Sequence, residues 1–95
     1  RNRIQNDDFV KVQMGIGDIS SKFSSFGWEV KEVDGHDMAA VVDVIDWAAT
    51  HREGPVAIVA HTIKGKGVSF MEGNPAFHGM APTDQELELA LEELV

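Results

Sequence analysis

The chain has 95 residues, room for at most one small domain, and its 43% hydrophobic and 25% charged content is that of an ordinary globular chain. Sixteen acidic residues against eight basic give a net charge of -8, which argues against nucleic acid or an anionic membrane as partner. The absence of cysteine excludes disulfides and thiolate metal sites, and no apolar run approaches the roughly 20 residues of a membrane span. With no signal peptide visible, a cytoplasmic location is the default expectation.

The first eight residues, Arg1 to Asp8, are polar but for Ile4, and lack an initiator Met, so they read as the middle of something longer. The segment from Asp8 to Gly17 reads as an irregular connection. Asp18 then caps a helix through Phe26, with Ile19, Phe23 and Phe26 on one face and Gly27 as its stop. Trp28 to Val33 reads as a strand, and Asp34-Gly35 as a turn. Asp37 caps a second helix to about His51, whose apolar stripe is expected to be Met38, Val41, Val42, Ile45, Ala48 and Ala49. Val56 to Ala60 is a β-branched-rich run of the kind buried on both faces of a parallel sheet. Thr83 with Glu86 is a capping box opening a last helix, with Leu87, Ala90, Leu91 and Leu94 expected inside. Trp28 and Trp47 are expected in the core.

Helix, strand, helix, strand, helix is a βαβ-type layout with right-handed crossovers, and ligands of such sheets bind at the carboxyl ends of strands. There the chain places Thr62-Ile63-Lys64-Gly65-Lys66-Gly67. Small residues let backbone N–H groups approach an anion, and a lysine adds a point charge suited to phosphate. His78 is a candidate proton carrier near neutral pH. Lys66 is expected to face solvent or an interface, His36 to serve in capping, and His51 to complement a helix dipole. His61, just past the strand, is balanced between a structural role and an approach to a ligand.

Taken in order, "FGWEVKEVDGHD", "AIVAHTIKGKG", "SFMEGNPAFHGMAP" and a closing "ALEEL" resemble the end of the amino-terminal cofactor-binding domain of transketolases, and most of all the amino-terminal subunit of the split, two-subunit type. The resemblance implies an α/β chain: a single partial domain over residues 1–95, part of a three-layer α/β/α thiamine-diphosphate-binding fold with a mostly parallel sheet. It implies ketol transfer between sugar phosphates on thiamine diphosphate with Mg²⁺ or Ca²⁺. "RNRIQ" is similar to the segment that closes the family's metal motif, so Asn2 is implied to offer its side-chain oxygen and Ile4 its backbone carbonyl. The family's opening Gly-Asp-Gly is not in these residues. Lys64 is implied near the diphosphate, and His78 between the diphosphate and the substrate hydroxyls. Asn6, with its neighbour Gln5, is implied beside the thiazolium ring.

In that family the activating glutamate comes from another domain across a dimer interface. The resemblance therefore implies a carboxy-terminal subunit or domain as partner, a homo-oligomer, and an inactive chain when isolated. Two other readings stand beside it. One is a different thiamine-diphosphate enzyme, such as a deoxyxylulose-phosphate synthase; the other is a non-catalytic assembly or binding module that keeps the fold.

Overall fold

The computed structural model describes residues 1–95, which divide into two compact units, one of Arg1 with Ile16–Thr62 and one of Asn2–Gly15 with Ile63–Val95. The first unit is built on a parallel pair of strands. The second combines a small antiparallel hairpin, a long loop and a terminal helix.

In the first unit, helix α1 (Ile19–Ser25) is capped by Asp18, whose carboxylate accepts from Ser21 N, and Gly27 at φ 81° turns the chain away. Strand β1 (Glu29–Asp34) pairs in parallel with β2 (Val56–His61), and helix α2 (Met38–Thr50) crosses between them. Asp37, not His36, is the N-cap of α2, its side chain accepting from Ala40 N, while His36 N donates to Asp34 Oδ1 one step earlier.

Register Val30↔Ala57, Glu32↔Val59 and Asp34↔His61 puts these side chains on one sheet face, where α1 packs: Ser20 Oγ donates to Glu32. The opposite face carries Glu29, Lys31 and Val33, and there α2 packs. Lys31 Nζ lies 4.3 Å from the centroid of Trp47, and His51 Nδ1 stands 3.5 Å from Glu29 Oε2. Helix, sheet, helix is the three-layer α/β/α arrangement expected, here on two strands.

Several expectations are corrected. Val44 is the buried centre of α2, flanked by half-buried Ala40, Val41, Trp47 and Ala48, whereas Met38, Val42, Ile45 and Ala49 face solvent. The helix is apolar on two sides, and the side that packs is set by the sheet rather than by its own sequence. Strand β2 is not buried on both faces: Val59 is at 6% exposure but Ile58 keeps 37%, because a single helix shields only part of its face. Trp28 and Trp47 are both only partly covered. Trp28 packs its ring 5.2 Å from Phe23, and Phe26 stays exposed.

In the second unit a hairpin forms, β3 (Ile4–Gln5) with β4 (Asp8–Phe9), followed by one helical turn at Val10–Gln13, so the segment expected to be irregular from Asp8 begins with regular structure. Asn6 holds φ 53° at the first loop position, a left-handed conformation that Asn tolerates better than most residues. Two-residue strands carry no alternation, which is why the hairpin escapes a sequence reading. Helix α3 (Asp84–Glu93) opens on the complete capping box of Thr83 and Glu86. Only Ala90 of its expected inner face is buried; Leu87, Leu91 and Leu94 are exposed.

Three carboxylates are held below their usual values of 3.8 for Asp18 and 4.5 for Glu32 and Glu93, first of all by serine hydroxyls. These are Ser21 on Asp18, Ser20 and then His61 on Glu32, and Ser69 on Glu93. A carboxylate whose folded value is depressed stabilises the fold above its unfolded value, and that contribution is lost as pH falls through the folded one. The midpoint of urea unfolding is therefore expected to change little from pH 7 to about 5 through these groups and to drop on further acidification. Glu32→Gln should flatten that drop. A midpoint that rises below pH 4.5 would contradict this account.

Candidate functional site

Every residue implied for cofactor or metal falls in the second unit: Asn2 just before the hairpin, Ile4 and Asn6 on it, Lys64 and His78 at the two ends of the loop after β2. Strand β4 lies against the 3-10 turn Pro75–His78, so hairpin and His78 belong to one packed group. Lys64 is tied in from the other side, because its carbonyl accepts from Gly73 N at 2.8 Å. His36, His51 and His61 all lie in the first unit.

Lys64 is half-buried and His78 exposed. Neither is spent on an ion pair, since the pairs formed use His51, His61 and Lys66. Lys66 is exposed, as expected, and stands 3.3 Å from Glu72 Oε1. Loop and turn thus offer a lysine ammonium and an imidazole within one unit, a set that suits a phosphate-bearing ligand.

The glycines of the loop are used differently from what their spacing suggests. Lys66 N donates to Ile63 O, Gly67 N to Glu72 Oε1, Val68 N to Gly65 O and Gly73 N to Lys64 O. These N–H groups are engaged inside the loop. The glycines close the loop on itself, and the charge of Lys64 remains as its offer to an anion.

In the segment Arg1–Gln5, Asn2 Oδ1 accepts from Ile4 N at 3.0 Å across Arg3, which holds the strained φ of 63°. Asn2 Oδ1 and the Ile4 carbonyl are hard oxygens of the kind Mg²⁺ and Ca²⁺ select, but such ions take six or more ligands. No group of three or more His, Asp or Glu side chains is placed to hold a metal. For a metal these residues supply two oxygens of the set, and for a diphosphate the unpaired cationic side chain of Lys64 and the exposed imidazole of His78.

The family model described as transketolase, thiamine diphosphate binding domain, matches residues 1–94. The chain belongs to the transketolase family. Among its relatives, an apulose-4-phosphate transketolase subunit of Actinobacillus succinogenes is 38% identical over 94 residues, 99% of this chain and 34% of that protein. The 6-deoxy-6-sulfo-D-fructose transketolase subunit SqwG of a Clostridium species is 34% identical over 93 residues, covering 98% of this chain and 34% of its own length. The transketolase of Sinorhizobium medicae is 33% identical over 93 residues, 13% of its length. This transketolase chain spans about a third of the split-type relatives it matches.

Two contacts were not legible in the sequence. His61 Nε2 lies 2.5 Å from Glu32 Oε2, so that Ser20, Glu32 and His61 link α1 to both strands. No local pattern announces it, since the partners are distant in sequence. Asn74, the cap of the turn that carries His78, did leave a signal: Asn followed by Pro is a helix-start pair.

Proposed function

We propose that this chain is part of a transketolase that passes a two-carbon ketol unit from a ketose phosphate to an aldose phosphate, using thiamine diphosphate with Mg²⁺ or Ca²⁺. The observation that carries the reading is the gathering of Lys64, His78 and the segment Asn2–Asn6 in one unit of a chain matched to the thiamine-diphosphate-binding domain. When bound, the cofactor supplies the nucleophilic carbon and the electron sink. The chain's own residues bind and move protons. Lys64 Nζ neutralises diphosphate charge, Asn2 Oδ1 and the Ile4 carbonyl contribute to the metal, and Asn6 borders the thiazolium ring. His78 passes protons to and from the substrate's hydroxyl oxygens, as an imidazole does near neutral pH.

Residues 1–95 form, on this reading, one partial cofactor domain acting in the cytoplasm. Its relatives are named as subunits, which supports a carboxy-terminal partner subunit, with activity only in the assembled enzyme. Assembly is also favoured by the exposed apolar residues Met38, Val42 and Ile45 of α2. That same surface is what a purely non-catalytic assembly module would need.

Calorimetric titration of thiamine diphosphate, with and without Mg²⁺, separates the two. Heat of binding that requires the metal supports the enzyme reading. Silence in both titrations means that these residues alone hold no cofactor; the same titration of the assembled enzyme then decides, and silence there leaves the assembly reading.

A further inference from the structure

Asn74 spends both ends of its side-chain amide. Oδ1 accepts from Ala76 N at 3.0 Å, capping the turn Pro75–His78, while Nδ2 donates to Phe70 O at 3.2 Å. Serine and aspartate cap about as well as asparagine but offer no N–H for the second bond. The cap explains a residue of this class; the second bond explains asparagine.

That second bond joins two pieces of the proposed site. Phe70 belongs to the loop that starts at Lys64, and the turn beyond Asn74 carries His78. Around the amide the frame is closed by Gly73 N on the Lys64 carbonyl at 2.8 Å and Asn74 N on the Met71 carbonyl at 3.1 Å. The rings of Phe70 and Phe77 sit 5.7 Å apart, tilted by 58°. The bond to Phe70 is partly buried, so it meets less competition from water than the exposed cap bond to Ala76 does.

We propose that Asn74 is a positioning residue that fixes the His78 turn against the Lys64 loop, so that ammonium and imidazole meet one anion together. The proposal rests on the reading of Lys64 and His78 given above. It adds a residue that touches no ligand and acts through the other two.

The test compares the wild type with Asn74→Asp, which keeps the cap and loses the bond to Phe70, and with Asn74→Ala, which loses both. Two readouts are taken by NMR: backbone order parameters of residues 76–79 without ligand, and shifts of Lys64 and the His78 ring on adding inorganic diphosphate. In Asn74→Asp the order parameters are expected to fall from about 0.85 toward 0.6. The His78 response to diphosphate should shrink while that of Lys64 persists, and affinity should weaken roughly two- to tenfold, as loss of one hydrogen bond allows. Asn74→Ala should go further in the same direction.

Wild-type order parameters together with a wild-type His78 response in Asn74→Asp would overturn the proposal. A wild type that ignores diphosphate at both residues would refute the cofactor reading instead. The ligand-free order parameters would then decide Asn74 alone: loosening in Asn74→Asp upholds its hold on the turn, and none overturns it.

Discussion

Lys64→Ala is expected to weaken binding of thiamine diphosphate by roughly 10- to 100-fold, the worth of one charge-assisted hydrogen bond. The ammonium has no acidic partner in the chain, so its removal leaves no orphaned carboxylate and the loss falls on the ligand. Lys66→Ala is the internal comparison. Lys66 is exposed and already pairs with Glu72, an arrangement of small worth at a surface, and its loss should change affinity by less than about twofold. His78→Ala should cost less in binding and far more in turnover, on the order of 10²- to 10⁴-fold, when ketol transfer is assayed in the assembled enzyme. Calorimetry and steady-state kinetics read these effects separately. If Lys66 rather than Lys64 carried the affinity, the diphosphate would be assigned to the wrong lysine of the loop.

Gly65→Ala is expected to destabilise the fold by about 2–4 kcal/mol, from a left-handed backbone cost near 1 kcal/mol and a steric cost of 1–3 kcal/mol. Gly65 sits at φ 69°, and a Cβ there would stand 2.6 Å from Met71 Cβ and 2.7 Å from Met71 O. The carbonyl cannot swing aside without disturbing the loop's own hydrogen bonds. Gly67 offers the contrast. Its φ is 96°, but its nearest neighbour is the flexible end of Leu94 at 3.0 Å, so Gly67→Ala should cost about 1 kcal/mol. Against the roughly 5–14 kcal/mol expected for a chain of this size, only Gly65→Ala takes a large share. Urea unfolding of both variants measures the difference. Equal losses would mean that backbone conformation alone matters and the closeness to Met71 does not.

What could be read from the sequence was local. Asp18, Asp37 and Thr83 announce helix starts through bonds to residues three positions ahead, and each is a cap in the structure. Lys64 and His78 are singled out only because a motif of fixed order carries them. The inner face of α2 was misjudged because Met38, Val42 and Ile45 are as apolar as Val41 and Val44, and only the sheet, remote in sequence, selects between them. The same distance hid the link of His61 to Glu32. The loop glycines were misread for a different reason: a left-handed residue that meets an anion and one that meets Met71 have the same spelling.

The parallel pairing of β1 with β2 also sets an order of events in folding. The hairpin joins Gln5 to Asp8, near neighbours, and forms on a scale of about 1–10 μs. Pairing Glu29 with Val56 must wait until the whole of α2 has been gathered in between, so loop-closure entropy is spent before any ladder bond repays it. During that wait Val30, Val33 and the run Val56–Ala60 stand with open edges, and they are the segment on which two newly made chains would first stick together.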